Sequence, residues 1–69
     1  MKRIVLTDSE NIKSVGYENG KLQVEFTTGT LYEYQGVPKD VYEEFMRTDK
    51  HGRFGYDHIF YTYHYLKLR

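Results

Sequence analysis

The chain contains no cysteine, no tryptophan, no alanine and a single proline. Without cysteine, neither a disulfide nor a thiolate-held zinc can staple the fold. Long apolar runs are missing as well. Met1-Lys2-Arg3 is followed only by Ile4, Val5 and Leu6 before Thr7-Asp8 breaks the run, so neither a secretory signal nor a membrane span is expected. A cytoplasmic protein without membrane association is the resulting expectation. The formal net charge is zero, which argues against a general polyanion binder. At 69 residues the chain makes one small domain over residues 1–69. A domain of this size buries only about 60% of its unfolded surface, so a thin margin of stability must come from the core, or from the core together with self-association.

What the chain has in quantity is aromatic: eight tyrosines and four phenylalanines. Tyrosine joins a large buried area to a polar tip, which suits a thin core and equally suits a stacking surface. Charge is unevenly spread. Residues 1–46 carry five Lys/Arg against eight Asp/Glu, whereas residues 47–69 carry five Lys/Arg against two Asp, together with all three histidines. That asymmetry points to an anionic partner for the C-terminal part, or to a solvated surface whose halves attract each other.

Lys2 to Leu6 has the look of a short strand or arm, followed by a polar turn at 7–11. Ile12 to Tyr17 reads as a strand, and Asn19-Gly20 supplies the two positive φ angles of a type I′ turn. A two-residue loop then sets Glu18 against Lys21, Tyr17 against Leu22 and Val15 against Val24, with Lys13 left facing Phe26. The strand Lys21 to Phe26 alternates cleanly. A three-residue loop, Thr27-Thr28-Gly29, places Phe26 opposite Thr30, Val24 opposite Tyr32 and Leu22 opposite Tyr34. Tyr17, Leu22, Val24, Phe26, Tyr32 and Tyr34 thereby share one apolar face with Val15. Ser14, Gly16, Lys21, Gln23, Glu25 and Glu33 are expected on a solvent face carrying one exposed leucine, Leu31.

Gly36-Val37 ends the third strand and Pro38 opens a helix, where its missing N–H costs nothing. Asp40, Glu43 and Glu44 suit the positive end of that helix and Arg47 the other. Val41, Tyr42, Phe45 and Met46 form its apolar stripe, and Thr48 to Gly52 ends it. Between Phe54 and Leu68 the alternation of Tyr61, Tyr63 and Tyr65 suits a strand, while the Tyr56–Phe60 and Ile59–Tyr63 spacings suit a helix. Periodicity leaves both open. The expected fold is α+β: a three-stranded antiparallel β-meander with one α-helix packed on its apolar face, then a second short helix or an aromatic tail.

The segments Ser14-Val15-Gly16-Tyr17, Leu22 to Phe26 and Gly29-Thr30-Leu31-Tyr32-Glu33-Tyr34, with Gly36-Val37-Pro38-Lys39-Asp40-Val41-Tyr42, resemble the KTSC domain. Gly52-Arg53-Phe54, Asp57-His58-Ile59 and Tyr63-His64-Tyr65 extend the resemblance over about residues 9–65. The resemblance implies a small domain found alone in bacteria and phages and at the C-terminus of some lysyl-tRNA synthetases. That fusion implies RNA as a partner, and the family pattern around Asp57-His58-Ile59 implies a second short helix. Two positions depart from the pattern. Gly55-Tyr56 stands where the family usually has an aromatic followed by asparagine, and His64 replaces a proline between two tyrosines.

No catalytic constellation stands in the sequence. Ser9 and Ser14 have no nearby histidine, the acidic cluster Asp40/Glu43/Glu44 is explained by the helix dipole, and no glycine-rich phosphate loop is present. The spacing of His51, His58 and His64 matches no zinc signature. No enzyme activity, cofactor or metal is therefore expected. Cations interleaved with aromatics are the ingredients of a sequence-tolerant single-strand binder. The candidate set for RNA or single-stranded DNA is Arg47, Lys50, Arg53, His58, Tyr63, Lys67 and Arg69. The alternative is a protein-interaction or self-association module using surplus aromatics, Leu31 and open sheet edges. Tyr17, Leu22, Val24, Phe26, Tyr32, Tyr34, Val41 and Phe45 are expected to form the core. Tyr32 and Tyr34 in particular read as its amphipathic centre, so that a ligand site belongs among residues 47–69.

Overall fold

A computed structural model describes residues 1–7 and 9–69. Its elements run β1 (Arg3–Val5), β2 (Ile12–Glu18), β3 (Lys21–Phe26), β4 (Leu31–Tyr34), α1 (Lys39–Arg47), α2 (His51–His58) and β5 (Tyr65–Lys67). The five strands form one antiparallel sheet in sequence order, β1-β2-β3-β4-β5. The expectation of a three-stranded sheet with one main helix is therefore wrong: there are five strands and two helices among the described residues. The two additions at the edges are only three residues long, too short for a period of two to register. The Thr48 to Gly52 stretch, read as a helix stop, ends α1 but also contains the first two residues of α2. The polar turn expected at 7–11 includes Asp8, which lies outside the described residues.

Turn chemistry sets the central register. Asn19 and Gly20 have φ of 51° and 78°, and the flanking pairs are Glu18↔Lys21, Tyr17↔Leu22 and Val15↔Val24. One pair differs from the turn arithmetic. A bulge between Ile12 and Ser14 sets Ile12, not Lys13, against Phe26, and this keeps a lysine out of the core while burying Ile12 completely. The next strand pairs Val24 with Tyr32 and Leu22 with Tyr34. The Phe26 N–H donates to the Thr30 carbonyl at 2.9 Å across the loop.

Pro38 caps α1 with φ −63° and ψ 152°, and its carbonyl accepts from the Tyr42 N–H at 3.1 Å. Val37, just before it, is buried and held at both polar ends. Its N–H donates to the Gly20 carbonyl at 2.9 Å, and its carbonyl accepts from the Tyr17 hydroxyl at 2.6 Å. The start of the helix is thus tied to the tip of the first hairpin. Tyr17 in turn stacks on Tyr42 of α1, with centroids 4.3 Å apart and planes within 8°.

The core holds Ile12, Val15, Leu22, Val24, Tyr34, Val37, Phe45 and Ile59, all buried. Tyr17, Phe26, Tyr32 and Val41 pack against it half-buried. The opposite face of the sheet is not simply solvated, because the Met1–Arg3 arm lies over it and buries Ser14 and Gly16. A polar ladder crosses that face. Arg3 Nε donates to Ser14 Oγ (3.1 Å) and Arg3 Nη1 to Gln23 Oε1 (2.8 Å). Ser14 Oγ donates to Glu25 Oε1 (2.9 Å), and Gln23 Nε2 to Glu33 Oε1 (3.1 Å). The Arg69 guanidinium closes the ladder on Glu25 Oε2 at 2.5 Å. Leu31 on this face is half-buried rather than exposed.

Replacing Tyr17 by Phe keeps the stack on Tyr42 but strips the Val37 carbonyl of its hydroxyl donor. A loss of about 1–2 kcal/mol in unfolding free energy is expected from urea titration. The Ser14 hydroxyl holds the Glu25 carboxyl below the ordinary carboxylate range; Lys13, Arg69 and Arg3 add to the effect, and burial opposes it. A depressed pKa contributes stability that is present above the unfolded value and lost as pH falls through the folded one. The urea midpoint should therefore fall between about pH 5 and pH 3, and by less in Glu25→Gln than in the wild type.

Candidate functional site

Helix α2 covers only part of the inner face, and the aromatic side chains beyond it line an open groove. The groove has two adjoining arms that share Phe26, Tyr32 and Phe60. The wide arm, about 480 Å³, adds Asn11, Thr27, Thr28 and Thr30 from the sheet side, with Gly52, Arg53 and Tyr56 from α2. The narrow arm, about 210 Å³, is lined by six aromatics and nothing else: Phe26, Tyr32, Tyr34, Phe60, Tyr61 and Tyr65.

The rings are positioned by pairing and by one close approach. Antiparallel register sets Tyr34 opposite Tyr65 and Tyr32 opposite Lys67, so these four side chains share the inner face. Tyr32 meets Tyr65 edge-on at 5.2 Å and Phe26 edge-on at 5.8 Å. Phe60 stacks on Tyr34 at 5.2 Å and meets Phe26 edge-on at 5.6 Å. Its ring reaches this place because Gly55 has no side chain; a Cβ there would stand 2.4 Å from Phe60 Cζ. The backbone locks the same turn, since the Ile59 and Phe60 N–H groups both donate to the Gly55 carbonyl, at 2.8 and 2.7 Å. Burial pushes the Tyr34 phenol well above the ordinary tyrosine range, and the neighbouring Tyr32, Tyr65 and Tyr61 push it further. Tyr34 is therefore a neutral hydroxyl at any physiological pH. By contrast, Tyr61 is 79% exposed and Tyr56 is 61% exposed.

The seven candidate binding residues do not come together. Arg53 lines the wide arm, 3.2 Å from Asp57 Oδ2 one helical turn on, in a pair that is largely solvated. Lys67 shares the inner face with Tyr32. Arg47 ends α1 and Lys50 caps α2; both are exposed and line neither arm. His58 is exposed with its ring 4.6 Å from Phe54, and Tyr63 is half-buried against the core. Arg69 points to the other face, where Glu25 and the Gly29 carbonyl hold it. Residues outside that set supply most of the groove. Tyr65 was accessible through its alternation with Tyr61 and Tyr63, whereas nothing in the sequence joins Asn11 and the threonine loop to α2. Tyr32 belongs to the core margin and to both arms at once, so the groove is not confined to residues 47–69.

Among the described residues no group of three His, Asp or Glu is placed to hold a metal ion, and no helix is long and apolar enough to cross a membrane. Fold and groove define a small α+β module, an antiparallel meander with an aromatic cleft on its helical face. The chain belongs to the KTSC domain family, which matches residues 8–65. It is similar to a KTSC domain protein from Yersinia pestis whose crystal structure superposes with a TM-score of 0.89 at 31% identity, covering 99% of this chain and 97% of the other. It is also 39% identical over 67 residues to an uncharacterized protein of Stutzerimonas stutzeri, covering 94% of this chain and 92% of that one.

A glycine inside a helix ordinarily gives way to alanine with a gain of about 0.5–1 kcal/mol, but Gly55 is buried. Gly55→Ala is expected to do the reverse, costing about 1–3 kcal/mol as Phe60 is pushed off Tyr34. Thermal or urea unfolding measures the sign, and near-UV circular dichroism should report the disturbed tyrosine and phenylalanine rings.

Proposed function

We propose that the groove binds single-stranded nucleic acid, RNA or DNA, as a non-catalytic interaction module. The observation that carries this reading is the adjoining pair of aromatic-lined arms, with Arg53 at the wide arm and Lys67 beside Tyr32. Bases stack on such rings whatever their identity, and cations alongside meet the phosphates. Two available cations match a neutral protein that binds weakly rather than a strong polyanion binder. The family's implied link to RNA points the same way. Arg69 takes no part in this reading, since Glu25 and the sheet already engage it.

A second reading is self-association through the outer face, where Leu66 and Leu68 stand 45% and 47% exposed beside Leu31. Sedimentation velocity over a range of concentrations separates the two readings.

Fluorescence anisotropy with labelled decamers of mixed sequence, RNA and DNA in parallel, tests the first. Tyr65→Ala should weaken binding by about five- to 150-fold, the loss of one stacked base. Arg53→Glu should weaken it too and make log Kd less steep in log salt. No binding of any decamer at low salt, with a concentration-dependent dimer instead, replaces this reading with self-association.

A further inference from the structure

The two arms of the groove differ in chemistry as well as size. The narrow arm offers rings alone, apart from the tyrosine hydroxyls, and at about 210 Å³ it falls below the roughly 300–1,000 Å³ of ordinary small-ligand pockets. The wide arm, at about 480 Å³, falls inside that range. It also brings a cluster of hydrogen-bonding groups up to the rings of Phe26, Tyr32 and Tyr56. The Asn11 amide presents a donor and an acceptor side by side, and its Nδ2 stands 3.9 Å from the point where a Cβ on Gly52 would be. It therefore leans toward the first turn of α2, while the Asn11 backbone carbonyl accepts from the Thr27 N–H at 2.9 Å at the start of the threonine loop. The Thr28 and Thr30 hydroxyls hydrogen-bond at 3.2 Å, and since that bond uses one of their two protons, the pair keeps one to donate elsewhere. Arg53 stands on the helix side of the same arm.

Asn and Arg are the side chains whose paired groups match purine edges: an amide answers the N6/N7 pair of adenine, and a guanidinium answers O6/N7 of guanine. Building on the nucleic-acid reading above, we infer that the wide arm reads one base and prefers a purine, while the narrow arm stacks the neighbouring base without regard to identity. Asn11 is then the specificity-determining residue, with Thr30 as its helper. Binding should be sequence-tolerant along most of the strand and selective at one position.

The test compares labelled oligo(U) decamers with decamers carrying a single A, G or C at the centre, each also made as the DNA equivalent. For the wild-type protein a single purine is expected to tighten binding about fivefold or more over U or C. Asn11→Ala and Asn11→Ala/Thr30→Val should erase the preference for A, bringing the affinities of each variant for the A and U decamers to within about twofold of each other. Asn11 is exposed and the half-buried Thr30 lies outside the core cluster, so neither variant removes core packing. Equal affinity for all four decamers, with binding retained, overturns the base-reading role and leaves the stacking function intact. A preference for A over U that survives in Asn11→Ala overturns the assignment to this residue. Failure of every decamer to bind, at low salt, overturns the nucleic-acid reading together with it.

Discussion

The structure turns on the clamping of Val37. The chain must leave the sheet at the end of β4, reverse, and bring an amphipathic helix back across the same face. Gly36, with φ of 74°, makes the reversal in a conformation that side chains other than glycine rarely adopt. Val37 is then buried with its N–H on the Gly20 carbonyl and its own carbonyl under the Tyr17 hydroxyl, and Pro38 starts the helix one residue later. Two backbone groups that would be costly to bury unpaired are satisfied by the first hairpin. The pose of α1 therefore depends on the hairpin turn. A domain with no disulfide and a thin core relies on such ties to select one arrangement among several of similar hydrophobic burial.

Tyrosine does different work at each place it occurs. Tyr17 supplies a stacked ring and a hydroxyl for the clamp. Tyr34 is buried, its phenol kept neutral, and it underlies Phe60. Tyr32 and Tyr65 meet at the margin, and Tyr56 and Tyr61 are left in water while touching each other edge-on at 5.1 Å. Burial thus grades from core to surface along one continuous aromatic series, so the groove is an extension of the core left uncovered. The short second helix explains the opening, since eight residues cannot roof a five-stranded sheet. Gly55 explains its shape by admitting Phe60 to the boundary between covered and open rings.

The outer face shows the complementary economy. Arg3, Ser14, Gln23, Glu25, Glu33 and Arg69 come from all strands or their continuations and link the first strand to the last residue across the sheet. One charged group that the linear sequence offers as a ligand for an external anion, Arg69, is here consumed internally: it latches the C-terminal strand, which carries Tyr65 and Lys67 on its other face.

Local rules determined what they govern. The Asn19-Gly20 turn set the register of β2 and β3, the loop ending at Gly29 set that of β3 and β4, and the apolar stripe after Pro38 located α1. The family itself was legible in short motifs. The two edge strands were legible only as possibilities, Lys2 to Leu6 as a strand or arm and the tyrosine alternation before Leu66 as a strand or helix, because three residues carry too little periodicity and their pairing comes from hydrogen bonds to a neighbour. Bulging at Lys13 escaped for the same reason, since only the demand to bury Ile12 opposite Phe26 produces it. The groove was half legible: its aromatics and Arg53 stand in the sequence, but their convergence with Asn11 and the threonine loop arises only when β4, β5 and α2 are brought together. Charge could not be placed from the sequence, because a cation's availability depends on the partner the fold sets beside it. Periodicity and turn chemistry act between near neighbours and so can be read from the sequence by itself. Which face an arginine meets, and which rings remain uncovered, is decided by contacts across tens of residues and belongs to the tertiary structure alone.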